Sequence, residues 1–134
     1  MQRMLAAVVA LTLAVGCVRA DPFMFVALGD TAYNGERDYP VYRALIEAIN
    51  AANPAFSIHI GDIWGAGNCS DAHYAQIAEF FALYSGPLVY TPGDNDWTDC
   101  RRHALGGYDS AERLAKLRSI FFAKRQSLGG RALA

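Results

Sequence analysis

Short apolar runs alternate along this chain with longer stretches in which apolar residues return every three or four positions. Residues 25–28, 56–60 and 88–91 are the short runs, bounded by Gly, Pro or Asp, and each reads as a β-strand. After the first, Val41, Leu45 and Ile49 recur at helical spacing with Ala44 and Ala48 beside them, behind Pro40 as a first-turn residue and Asp38 as a cap. The stretch from Asn50 to Pro54 ends that helix. A second helix, capped by Ser70 or Asp71, carries Tyr74, Ile77, Phe80, Phe81 and Tyr84 and stops at Gly86-Pro87. A third begins at Asp109 or Ser110, with Leu114, Leu117, Ile120 and Phe121 on one face and Arg113, Lys116 and Lys124 turned away. The order βαβαβα predicts an α/β fold in which adjacent parallel strands are joined by right-handed crossovers. Three strands leave at least one edge in need of cover. So thin a sheet reads as the opening of a larger α/β domain, truncated before the sheet is complete.

Residues 1–20 stand outside this pattern. Arg3 supplies a positive start, residues 5–15 are apolar, and Val18-Arg19-Ala20 ends in small-residue cleavage geometry before Asp21-Pro22. This is the layout of a secretory signal peptide, which leaves residues 21–134 as one domain of a secreted or periplasmic protein. The apolar stretch is too short for a comfortable membrane span, and no later segment reads as one. A second reading rests on Cys17: residues 13–17 resemble a lipoprotein cleavage box that would anchor the chain by a lipid. Ala14 departs from that box, and the site after Ala20 is the better match.

Charge changes the picture only a little. Without Arg3 and Arg19 the chain has 10 basic against 13 acidic side chains, a net of −3, which argues against nucleic acid as a partner. From Arg101 onward eight basic residues face only Asp109 and Glu112. That basic end either solvates one helix face or attracts an anionic substrate. Two cysteines remain, Cys69 and Cys100, and in an oxidising compartment an even count predicts a disulfide between them. Free thiols are the alternative. A cysteine-ligated zinc lacks any Cys-x-x-Cys spacing.

The candidate chemistry lies where the strands end. Gly29-Asp30, Gly61-Asp62 and Gly93-Asp94 each follow a predicted strand, 32 residues apart. Three carboxylates are thereby expected at the carboxyl edge of an open sheet, where ligands bind in such folds. Neighbouring strands lie about 4.7–4.9 Å apart, so the acidic groups repel one another unless divalent cations neutralise them. The equal spacing by itself also fits a plain run of βα units, and Gly-Asp is a common turn pair.

These blocks resemble those of the calcineurin-like metallophosphoesterases, the family that includes purple acid phosphatases. Residues 25–33, 58–63 and 90–97 occupy its Asp block, its Gly-Asp block and its Gly-Asn-His-Asp/Glu block in order. The resemblance implies the start of a metallophosphoesterase-type sandwich with two divalent metal ions (Mn, Fe, Zn or Mg) that clamp a phosphate-ester substrate, monoester or diester, for hydrolysis. It places Asp30 on the first metal, Asp62 between the two, and Asp94 at the Asn ligand of the second. Asn95 falls at the His that meets the phosphate and protonates the leaving group, and Asp96 at the acid that orients that His. Sliding the third block by one residue would instead make Asn95 the ligand and Asp96 the acid.

Several positions depart from the family. Ala32 stands where its first block has a His, and Tyr33, one residue on, is a candidate phenolate ligand. An amide at 95 cannot act as a general acid near neutral pH. The family's later His blocks have no counterpart before Ala134. His103, beside Arg101 and Arg102, is a candidate replacement acid or phosphate contact, or a surface decoration. His73 is a candidate ligand at the start of a helix, and His59 reads as a structural residue of its strand. Trp64 and Trp97 either wall the site or close the sheet edge. Two functions are therefore expected to compete: an exported metal-dependent phosphoesterase, present here as an incomplete chain, or a non-catalytic secreted α/β module with a structural or vestigial metal site.

Overall fold

The computed structural model describes residues 21–65 and 69–133. Residues 1–20, with the expected leader and Cys17, lie outside the described residues. Strands β1 (Phe25–Leu28), β2 (Phe56–His59) and β3 (Pro87–Tyr90) alternate with helices α1 (Tyr39–Ala52) and α2 (Asp71–Ala82), and α3 (Ser110–Phe121) and a short β4 (Leu128–Gly129) complete the order. The sheet order is β1-β2-β3-β4, parallel among the first three and antiparallel at β4. Its register sets Leu28 against His59 and His59 against Tyr90. That repeat is 31 residues, one fewer than the Gly-Asp interval, so each successive Gly-Asp pair stands one residue further beyond its strand.

Both parallel crossovers step across the sheet in the same direction, and their right-handedness puts α1 and α2 on one face. Helix α3 joins them there through Phe121, whose ring lies 5.4 Å from Phe81 and 5.2 Å from Tyr90. Strand residues alternate accordingly: Ser57, His59, Leu88 and Tyr90 are buried beneath the helices. The opposite face is apolar and uncovered among the described residues, with Phe25 50 % and Val89 38 % exposed and Phe23, Phe25 and Phe56 in ring contact. Sheets dominated by parallel strands are normally covered on both faces.

Helix α2 matches its expected stripe, with Tyr74, Ile77, Phe80 and Phe81 buried and Ser70 capping it by accepting from the His73 N–H. Helix α1 is rotated from the expected face. Tyr42, Ile46 and Ile49 point inward, while Val41 is 72 % exposed. Tyr42 qualifies as a core residue because its hydroxyl meets that of Tyr84 at 3.3 Å. In α3, Arg113 is buried rather than turned to solvent. Its guanidinium donates to the Cys69 carbonyl at 2.7 Å and to Asp71 at 2.9 Å, pairs with Glu112, and lies 4.5 Å over the Tyr108 ring. A cation so fully partnered can leave water. Leu114 and Ile120 are only half-buried.

The expected disulfide is present, with the Cα atoms of Cys69 and Cys100 5.6 Å apart. It ties the loop after β2 to the loop after β3, and closing so long a loop stabilises by about 3–4 kcal/mol in the chain-entropy view. Strand β4, too short to leave a periodic signal, covers the β3 edge. No described helix is long and apolar enough to cross a membrane.

Candidate metal centre

The three loops beyond the parallel strands meet because their glycines allow it. Gly61 has φ +94°, and a Cβ there would sit 2.1 Å from the Gly93 nitrogen; one on Gly93 would sit 2.0 Å from Asp62 Oδ1. Asp30 and Asp62 share a left-handed φ of 53°, a conformation that Asp tolerates better than most residues but that still costs about 1–2 kcal/mol. The Asp30 N–H donates to the Gly61 carbonyl at 3.2 Å, which joins the first loop to the second.

On this rim Asp62 and Asp94 converge on one donor, the Asn95 N–H. Burial, followed by the Asp94 and Asp30 carboxylates, raises the Asp62 pKa, against a hydrogen bond from the Asn95 N–H. That N–H lies 3.1 Å from Asp94 Oδ1 and 3.4 Å from Asp62 Oδ1. The Asn95 side-chain amide donates to the Tyr33 hydroxyl at 3.3 Å. Tyr33 in turn packs against Gly65, where a Cβ would come within 2.0 Å of its ring. Asp62, Asp94, Asn95 and Tyr33 are thus brought together, with Asp30 within electrostatic reach of Asp62. As they stand, no three His, Cys, Asp or Glu side chains among the described residues close on one point tightly enough to hold a metal ion.

Asp96 takes a different place from either expected role. It is fully buried, its Oδ1 accepting from the Ile63 N–H at 2.8 Å. Its Oδ2 accepts from the Asp62 N–H at 3.1 Å, the Gly93 N–H at 2.9 Å and the Tyr90 hydroxyl at 2.8 Å. Burial pushes its pKa up to about 6, opposed by the donors from Gly93, Tyr90 and Ile63. It braces the second and third loops through their backbone N–H groups. His103 lies exposed in the 3-10 turn His103–Leu105, and its ring makes no hydrogen bond among the described residues. His73 packs 4.7 Å from the Trp64 ring. Trp64 is fully buried and donates to the Asn95 carbonyl at 2.9 Å, so it supports the third loop from inside, whereas Trp97 is half-buried.

Compared with known proteins, the chain matches no family model, no curated protein and no solved structure. What the rim can hold is then a question of its donors. They are carboxylates at 30, 62 and 94, the Asn95 amide and the Tyr33 phenol, an all-oxygen set of the kind that hard divalent ions take. Position 32 supplies nothing, since Ala32 is 2 % exposed and packs into the core. In donor type the set fits Mn²⁺ or Mg²⁺ better than Zn²⁺.

Sequence reasoning missed Thr31 and Tyr90, and passed over the reach of His59. The His59 ring is buried, with Thr31 Oγ1 on one nitrogen at 2.9 Å and the Gly61 N–H on the other at 3.2 Å. A His two residues before Gly-Asp on an inward strand position is the signal that pointed there. Burial lowers its pKa to about 4, only partly opposed by Thr31. The tyrosines facing it, Tyr42 and Tyr90, are kept neutral by burial. Between about pH 4 and 6.5 the unfolded chain binds this proton and the folded chain does not. Stability is therefore expected to fall as pH drops from 6.5 towards 4, by about 2–3 kcal/mol from this group. Urea denaturation of wild type and His59→Gln at pH 7 and pH 4.5 reads the difference; an equally steep pH loss in the variant would contradict it.

Proposed function

We propose that the rim is the cation site of an exported metal-dependent phosphoesterase related to the calcineurin-like family, in which Asp30, Asp62 and Asp94 would hold divalent ions. The observation that carries this reading is the convergence of Asp62 and Asp94 on the Asn95 N–H, with Asp30 in electrostatic reach of Asp62, at the sheet edge where α/β folds bind ligands. Divalent ions held there would neutralise these carboxylates and supply Lewis-acid polarisation of phosphoryl oxygens. The chain's own residues then hold the loops: Asp96 fixes the Asp62 and Gly93 backbones, and Asn95 presents its amide beside Tyr33. The bare sheet face, with the row Ala27, Ile58 and Val89, suits a second packed layer, and we assign it to the sandwich of that family. Export agrees with the disulfide and the leader-like start.

Turnover by this polypeptide alone is expected to be slight. The Asn95 amide is too weak an acid to protonate a leaving oxygen near neutral pH, and no described imidazole is bonded to Asp30, Asp62, Asp94 or Asn95. The test is Mn²⁺-dependent binding of inorganic phosphate, followed by hydrolysis of an activated aryl phosphate, with Asp62→Asn as control. Phosphate binding that needs both Mn²⁺ and Asp62, with little hydrolysis, is the expected result. No Mn²⁺-dependent phosphate binding would contradict the reading, and brisk Asp62-dependent hydrolysis would contradict the low turnover. The second reading, a non-catalytic secreted module, is favoured by the unclosed carboxylate set; Mn²⁺ binding without phosphate binding would select it.

A further inference from the structure

His59 reaches the immediate neighbours of two of the three carboxylates. Its Nδ1 accepts from the Gly61 N–H and is therefore unprotonated, so Nε2 carries the hydrogen and donates to Thr31 Oγ1. Gly61 directly precedes Asp62, and Thr31 directly follows Asp30. The ring itself is immobilised, with Phe81, Tyr90 and Tyr42 centroids 5.3, 6.1 and 6.4 Å away. Asp30 and Asp62 both hold left-handed backbone, which persists only where the surroundings over-determine it. Beside the His59 bridge, two backbone bonds join these loops, Asp30 N–H to Gly61 O and, further out, Gly65 N–H to Tyr33 O.

We propose that His59 is a positioning residue that sets the separation of Asp30 and Asp62 by pinning Thr31 with one ring nitrogen and Gly61 with the other. The inference rests on the reading of the rim as a cation site. A merely structural histidine would contribute to packing without influencing the cation. A pin makes the two effects travel together, as outer partners of metal ligands do when their loss costs about 10–100-fold in affinity.

Thr31→Val removes the hydroxyl while leaving every predicted ligand in place, and Thr31→Ser keeps it. His59→Asn retains an acceptor for Gly61 and cuts the bond to Thr31 from the other side. Amide hydrogen exchange at Asp30 and Gly61, measured without metal, reads the pin, and calorimetric titration with Mn²⁺ reads its effect on the site. Thr31→Val and His59→Asn are expected to speed exchange at Asp30 and to weaken Mn²⁺ binding about tenfold. Thr31→Ser should behave as wild type, and the Thr31→Val/His59→Asn double variant should be little worse than either alone. Unchanged exchange in both cutting variants, or faster exchange with unchanged Mn²⁺ affinity, would overturn the positioning role alone. Failure of the wild type to bind Mn²⁺ would overturn the cation reading and this inference with it.

Discussion

Replacing Asp96 by Ala is expected to destabilise the domain by about 3–5 kcal/mol. The substitution strands three backbone N–H groups, of Asp62, Ile63 and Gly93, and the Tyr90 hydroxyl, all aimed at one buried carboxylate. Each buried donor left without an acceptor costs about 1–3 kcal/mol. The loss is smaller than four such penalties because burial already disfavours the charge, as the upward pKa of Asp96 shows. Asp96→Asn should fall between wild type and Asp96→Ala, since the amide oxygen can still serve one set of donors. Urea denaturation at pH 7 measures both. A loss below about 1 kcal/mol for Asp96→Ala would show that the loops are not held from beneath in this way.

The second large effect has opposite signs with and without metal. In the metal-free protein Asp62 is held above its ordinary carboxylate range by burial and by two acidic neighbours. A raised folded pKa means stability that is present at low pH and lost as pH rises through that pKa. At neutral pH the neutral isostere in Asp62→Asn should therefore stabilise the domain modestly, by up to about 1 kcal/mol, and less at high salt. With Mn²⁺ at about a hundred times its dissociation constant the ranking reverses. Wild type gains about 2.7 kcal/mol by mass action and melts about 10 °C higher, while Asp62→Asn gains little. Thermal melts of both proteins, each with and without Mn²⁺, give the four values needed. A variant that is less stable without metal, or equally stabilised with it, would contradict this account.

Much of the framework was legible because it depends on local signals. The strand cores, the α2 stripe, the Gly-Asp turns after the strands and the paired cysteines are each written in a few adjacent residues. What escaped depends on partners far along the chain. Arg113 reads as a surface residue until the Cys69 carbonyl and Asp71, more than 40 positions earlier, are seen to enclose it. The inward face of α1 turned on whether Tyr42 counts as core, which only its meeting with Tyr84 decides. Asp94, Asn95 and Asp96 are consecutive polar residues in a loop, where no periodicity says which one faces the rim. The donors around Asp96 make that choice, and they come from the second loop, from β3 and from Gly93. Strand β4 is two residues long and leaves no pattern to find.

Calorimetric titration of Mn²⁺ into the oxidised protein, with Asp62→Asn beside it, tests the cation site most directly. The expected result is saturable binding by wild type and binding at least about 30-fold weaker in the variant, more than 2 kcal/mol of the binding free energy. No saturable binding by wild type, or equal affinities in the two proteins, would show that the acidic rim does not hold a shared cation.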